Sequence, residues 1–335
     1  MSTPLLSIVI TSYNRAASLA ALLGDFRALE LPDPSLLEII VCNNCSNDDT
    51  AAVLSAYRTD GKFQLKVVNR PVNLGMEGNI ASSMLEGTGK YVWLLSDHQR
   101  FLPEHFPSFM QALGGIEFDV GYVQIAQWGP VLPSKNKALP WSSLSAAVRG
   151  AALFTMGNIS GLVFRREFAL PAAKAIFNSC YWGYPHLGLI SRFNDRTRLA
   201  EFAVLSAFSS NIEGKKIVHE YDTVEVRYSK NLACVEQHAR TAGIVFARSG
   251  FFTADYRASF KRDVLTVLLS PSSSLSLTGS KLLRLLPFNP VSHKLLIVFV
   301  LAGVALVPGA LRIALASSMR QRIIATRRAS LEGKE

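Results

Sequence analysis

Cysteine, charge and long apolar runs near the start are all scarce in this chain. Four cysteines in 335 residues are too few for a disulfide framework, so a reducing compartment is the default expectation. Cys42 and Cys45 form a C-x-x-C, but it straddles the end of an apolar run instead of opening a helix, which argues against a thiol redox pair. Charged residues make up 18% and hydrophobic residues 49%, a balance that excludes disorder and allows one large core or two modest ones. The amino terminus has no basic n-region and an apolar run of six residues, Leu5 to Ile10, too short for a secretory signal. The catalytic part is therefore expected to stay in the cytosol.

Acidic residues are also in deficit, with 25 Asp and Glu against 35 Lys and Arg, a net charge of +10. The excess is concentrated at the end: from Pro271 onward nine Lys and Arg face only Glu332 and Glu335, a balance of +7. Inside that tail, Leu295 to Leu311 is an uncharged apolar run of seventeen residues, bounded by Lys294 and Arg312 and broken by Pro308-Gly309. It falls at the short limit of the roughly 20 residues that span a bilayer. The denser basic group (Arg320, Arg322, Arg327, Arg328) follows the run, so a simple crossing would export the more positive flank. A re-entrant hairpin, or a helix lying on an anionic membrane surface, keeps both flanks inside; a helix buried in the protein or in a dimer is the bland alternative. Nucleic acid is not expected, because the positive charge accompanies an apolar run instead of interleaved aromatics.

Three polar clusters are what the first hundred residues do contain, each directly after a strand-like run. Thr11-Ser12-Tyr13-Asn14-Arg15 follows Leu5 to Ile10, Asn43 to Thr50 follows Leu37 to Val41, and Ser96-Asp97-His98-Gln99 follows Tyr91 to Leu95. Between them lie helix signals: Leu19, Leu22, Leu23 and Phe26 at helical spacing within Ala16 to Ala28, and Ser46 to Asp49 as capping residues ahead of Ala51 to Tyr57. A further strand, Leu65 to Val68, precedes the loop Asn69 to Gly78 and a helix beginning near Asn79. This alternation predicts an α/β fold with a mostly parallel, doubly wound sheet covered by helices on both faces. The clusters would then share the carboxyl edge of the sheet and line one cleft.

The expected organisation is a catalytic domain over 1–230, split into a nucleotide-type half (1–105) and a mixed continuation (106–230) with strands at Val120 to Gln127 and Leu162 to Arg165. A helical extension over 231–270 and the tail over 271–335 follow it.

Taken together, four segments resemble the family 2 glycosyltransferases, whose fold is called GT-A. They are Ile8 to Arg15 (IVITSYNR), Val41 to Thr50 (VCNNCSNDDT), Asn69 to Asn79 (NRPVNLGMEGN) and Gly89 to Gln99 (GKYVWLLSDHQ), in that family's order and spacing. The resemblance implies an inverting transfer from a nucleoside-diphosphate sugar. Tyr13 would stack on the base, Asn44 would pair with its edge, Arg15 would reach the diphosphate and Asp97 would accept from the ribose. Thr11, Asn43, Asn73, Gly75 and Asn79 would complete the donor site, and Gly157, Asn158 and Ser160 would shape the acceptor pocket.

Two departures from the family pattern stand out. His98 occupies a position where the family offers a carboxylate to a divalent cation; imidazole suits Mn²⁺ better than Mg²⁺. His98 is then either a metal ligand or a direct contact to phosphate, and His219 resembles a late histidine that helps hold metal or diphosphate. The second departure is the base. Cys180 to Ile190 stands where the family has its Glu-Asp pair but contains no acid, so His186 is the candidate base and Asp195 the reserve. The expected acceptor is a lipid-linked saccharide or oligosaccharide of a bacterial surface polysaccharide, met at the cytoplasmic face of the plasma membrane. A catalytically inactive relative that binds nucleotide sugar or recruits partners is the competing reading. A nucleotidyltransferase is disfavoured, because no Gly-rich basic loop follows Ile10.

Overall fold

The four expected runs pair side by side in parallel in the computed structural model, which describes residues 3–60, 63, 65–125, 130–178, 184–208, 231–244 and 291–306. They are β1 (Leu6–Ser12), β2 (Leu37–Asn43), β3 (Leu65–Asn69) and β4 (Tyr91–Ser96), in the order β3-β2-β1-β4. The connecting helices are α1 (Ala16–Arg27), α2 (Thr50–Asp60) and α3 (Gly75–Ser83). β1 and β4 are apolar along nearly their whole length because both faces of the sheet are covered. The chain steps outward from β1 to β3 and then returns to the far side of β1. With right-handed crossovers this puts α1 and α2 on one face and α3 on the other. It also opens a crevice at the carboxyl ends of β1 and β4.

Helix α1 buries Leu19, Leu22, Leu23 and Phe26, as their spacing predicts. Helix α3 begins at Gly75, ahead of the expected start near Asn79, because Asn73 Oδ1 accepts a hydrogen bond from Gly75 N (2.8 Å) and Gly75 takes a φ of 72°.

The expectation of a mostly parallel sheet is corrected in the second half. Strands β5 (Gln99–Phe101), β6 (Val120–Ile125), β7 (Leu139–Pro140), β8 (Leu162–Arg165) and β9 (Arg198–Phe208) extend it, and of eight pairings among the described residues four are antiparallel. The short 3-10 turn Ile159–Gly161 delivers β8 at the crevice edge, so β8 can only run back along β4. The sheet is therefore mixed, flanked also by α4 (Phe106–Gly115), α5 (Ala146–Thr155) and α6 (Arg166–Asn178).

An aromatic core lies under α1 and α4. Phe101 stacks near Phe26, Phe106 and Trp93 at centroid distances of 4.8, 5.0 and 6.0 Å, and the Trp93 indole N–H donates to Ser160 O (2.8 Å). On its rim, Asp25 of α1 accepts from Arg100 Nε (2.7 Å) and from the backbone N of Phe101 (3.0 Å), so α1 is tied to β5.

The chain divides into two compact units, one of residues 1–218 with 233–251 and the other of 219–232 with 252–335. Of the expected extension over 231–270, helix α7 (Asn231–Thr241) is described. In the second unit Val291–Leu306, which holds the first part of the apolar run, forms helix α8; the rest of the run, with Pro308-Gly309, lies outside the described residues. Among the described residues no helix is long and apolar enough to cross a membrane.

Two glycines give opposite stability predictions. A methyl at Gly89 would sit 2.9 Å from Ser7 N and 2.9 Å from Ser7 Oγ, whereas one at Gly24, on the exposed side of α1, meets nothing within 4 Å. Gly89→Ala is expected to lower the unfolding free energy by about 1–3 kcal/mol through overpacking. Gly24→Ala should raise it by about 0.5–1 kcal/mol. Urea denaturation of the two variants checks both signs.

Candidate active site

The loops after β1 and β2 are knitted together by their own polar side chains. Asn14 and Cys45 both take positive φ (50° and 63°), which turns each loop sharply out of its strand. Asn14 N donates to Ser46 Oγ (2.9 Å), and Asn47 N donates back to Asn14 Oδ1 (2.9 Å). Asp48 accepts from Ala16 N (2.9 Å) with one oxygen and from Thr50 N (3.1 Å) with the other, so a single carboxylate caps α1 and α2. Its slight burial pushes the carboxyl upward, but the hydrogen bonds from Thr50 and Ala16 outweigh this and hold it below its ordinary range.

Asn44 clamps the third loop. Its Nδ2 donates to Asn73 Oδ1 (2.8 Å) and to Gly75 O (3.1 Å), while its Oδ1 accepts from Leu74 N (2.9 Å). Both amide protons are thus engaged, and Asn44 has none left for the edge of a base. Asn43 spans to Asn69 (3.0 Å) and receives Ser46 N (3.1 Å). Asn79 donates to Cys42 O (3.2 Å) from beneath the loop. Asn43, Asn44, Asn73, Gly75 and Asn79, expected as donor contacts, therefore form the frame of the cleft. Thr11 pairs with Ser96 in the sheet, and Tyr13 stands 42% exposed at the mouth.

The β4–β5 turn meets the β1–α1 loop at the crevice. Arg15 Nη1 lies 3.4 Å from Asp97 Oδ1 and 3.2 Å from His98 Nδ1, and Ser96 Oγ is 2.6 Å from the same Nδ1. Behind them Ser96 N donates to Ser160 Oγ (3.2 Å), which brings the start of β8 to the cleft. Asp97 is buried, and its Oδ2 has no hydrogen-bond partner. Arg15, Asp97 and His98 are thus brought together, joined by Ser96 of the same polar cluster and by Ser160, which the sequence reading places at the acceptor pocket.

A divalent cation fits this arrangement poorly. Among the described residues Asp97 and His98 are the side chains that would hold it, and the Arg15 guanidinium already touches both. Unit charges about 4 Å apart repel by about 4 kcal/mol at a surface-like dielectric, and a divalent ion doubles that. Among the described residues no group of three or more His, Cys, Asp or Glu could hold a metal. His219 lies outside the described residues.

Of the two expected bases, His186 is buried and Asp195 stands at the far edge of the sheet. His186, in the short 3-10 helix Pro185–Arg192, is 1% exposed and neither ring nitrogen completes a hydrogen bond. Burial pushes its imidazole down to about 4, against the weaker pull of the Met156 and Gly157 carbonyls. The ring is neutral at neutral pH but closed to an incoming hydroxyl; Tyr184 packs edge-on at 5.7 Å. Asp195 is exposed three residues before β9, which runs parallel to β6 and, through β8, in the same sense as β4. Asp195 therefore lies at the opposite edge of the sheet from Asp97. Cys42 is buried with its thiol pushed up to about 11 by desolvation, in keeping with a C-x-x-C that is not a redox pair. Glu201, a buried residue that sequence reading passed over, accepts from Gln124 Nε2 (2.7 Å), Val131 N (2.9 Å) and Leu132 N (2.6 Å) and so fixes the segment after β6.

Two outcomes are expected from this geometry. Asn44→Ala removes three hydrogen bonds and should cost about 1–3 kcal/mol of stability, read as a lowered urea midpoint. His186 has a folded pKa of about 4 against 6.5 when unfolded, so the unfolded chain binds the extra proton. Stability should fall as pH drops from about 6.5 towards about 4, by up to about 3 kcal/mol. His186→Phe should flatten that slope in urea titrations at several pH values.

Comparison with known proteins agrees with the geometry. Residues 7–166 match the model of the family described as Glycosyl transferase family 2. A GalNAc(5)-diNAcBac-PP-undecaprenol beta-1,3-glucosyltransferase of Campylobacter jejuni is 27% identical over 108 residues, 32% of this chain and 34% of that protein. Abequosyltransferase RfbV of Salmonella typhimurium is 30% identical over 90 residues, 27% of each chain. The matched stretch thus spans about a third of the length of the first of these relatives and about a quarter of the second. Among solved structures, S. aureus TarS 1-349 has a TM-score of 0.50 at 14% identity, covering 94% of this chain and 91% of that one, which is a likeness of fold. With the strand order and the clustered loops, these matches make residues 7–166 a glycosyl transferase family 2 domain.

Proposed function

We propose that this protein transfers a sugar, with inversion, from a nucleoside-diphosphate sugar to a lipid-linked saccharide at the cytoplasmic face of a membrane, in bacterial surface-polysaccharide synthesis. The observation that carries this reading is the contact of Arg15 with Asp97 and His98 beside the exposed ring of Tyr13, at the crevice between β1 and β4. A flat base, a ribose diol and a diphosphate call for a stacking ring, a hydrogen-bond acceptor and positive charge, and those three groups converge here. Neither His186 nor Asp195 is assigned the deprotonation of the acceptor.

Support for the acceptor comes from two directions. The Campylobacter relative is named for a substrate carried on undecaprenol diphosphate. Helix α8 exposes Leu295, Val298, Phe299 and Leu306 between basic flanks, a pattern suited to an anionic membrane surface. A second reading, an inactive relative that only binds nucleotide sugar, is favoured by the burial of His186 and by the place of Asp195 at the far edge.

Transfer of radiolabelled sugar from a panel of nucleotide sugars into a bacterial lipid extract tests the proposal. Asp97→Asn, which removes the carboxylate charge that faces Arg15, should reduce transfer by about a hundredfold or more. Nucleotide-sugar binding with no transfer to any lipid fraction would establish the second reading instead.

A further inference from the structure

We infer that Arg15 stands where the family resemblance places a divalent cation, and that the donor diphosphate is held here without Mn²⁺ or Mg²⁺. The inference rests on the reading of the cleft as a nucleoside-diphosphate site.

The position of the Arg15 guanidinium carries the argument. Its Nη1 lies 3.4 Å from Asp97 Oδ1 and 3.2 Å from His98 Nδ1, so a fixed cation already stands between the two side chains that a metal would have to bridge. The same Nδ1 also has Ser96 Oγ at 2.6 Å, which leaves no room for a metal at that nitrogen.

Charge points the same way. The replacement of a carboxylate by imidazole removes one of the negative charges that would attract a divalent ion. The charge of Asp97 is already met by the same Nη1, at 3.4 Å. Nη1 spends both of its protons on Asp97 and His98, and the guanidinium carries five in all. The rest of the planar group, on a side chain 38% exposed at the crevice, matches the geometry of a phosphate. Arg15 occupies the position just before α1, whose first N–H is capped by Asp48, so its own side chain is left to make contacts across the crevice. Arg15 thus supplies a fixed positive charge oriented by two partners.

Titration calorimetry of the full chain with UDP, GDP, CDP and dTDP, in excess EDTA and in Mn²⁺ or Mg²⁺, tests this. At least one nucleotide should bind in EDTA with a dissociation constant within about twofold of its value in Mn²⁺. Arg15→Gln should weaken that binding by about tenfold or more, in EDTA and Mn²⁺ alike, and Arg15→Lys by less. A circular dichroism melt confirms that each variant is folded. His98→Asp, which restores a second carboxylate, should acquire a Mn²⁺ dependence that the parent lacks, seen also as loss of the free-Mn²⁺ signal in electron paramagnetic resonance. Binding by the parent only with a cation, or Mn²⁺-supported binding that survives Arg15→Gln unchanged, would overturn the inference and leave the transferase reading standing. Failure of every nucleotide to bind under every condition would remove both.

Discussion

Arg15 and Asp97 are 82 positions apart in the chain and meet because β1 lies between β2 and β4. Parallel pairing in the register Thr11 with Ser96 brings the two strand ends level, and the reversal of strand order leaves the space between them uncovered by a crossover. Every functional statement about this molecule depends on that one pairing. The buried ladder of Ile8, Ile10, Trp93 and Leu95 keeps it from slipping, since a one-residue shift would exchange side chains of different size between two closely packed faces.

The polar residues around the cleft divide into those that face outward and those that hold the loops. Asn43, Asn44, Asp48 and Asn73 look like ligand contacts in one dimension, yet their hydrogen bonds run to neighbouring loops. Short amide and carboxylate side chains suit this work because they bond to backbone groups that no strand or helix satisfies. The consequence is a rigid rim in which Tyr13 and Arg15 are presented by a framework of other residues' bonds.

Much of the first half of the fold is legible in the sequence because its signals are local. The spacing of Leu19, Leu22, Leu23 and Phe26 names the buried face of α1, and the apolar runs ending at Ile10, Val41 and Leu95 fall within β1, β2 and β4. Strand direction is not local: nothing in Leu162 to Arg165 distinguishes a strand running with β4 from one running against it. Burial is likewise a property of the whole. His186 satisfies the chemistry of a base on paper, but the packing around Met156 and Tyr184 seals it. Asp195, nine residues further on, is carried to the other edge by the direction of β9. The contact of Arg15 with His98 depends on the register of two distant strands, although type and position mark each residue singly.

The tie between Asp25 and the Arg100–Phe101 segment has a mechanical meaning. Helix α1 is joined to the β4–β5 segment near both of its ends, through Arg15 at one and Asp25 at the other. It behaves as a strut bolted at two points, so the jaws of the crevice hold a set gap. Molecules would be sorted there by whether they fit that calibre, with little contribution from a closing movement of this wall.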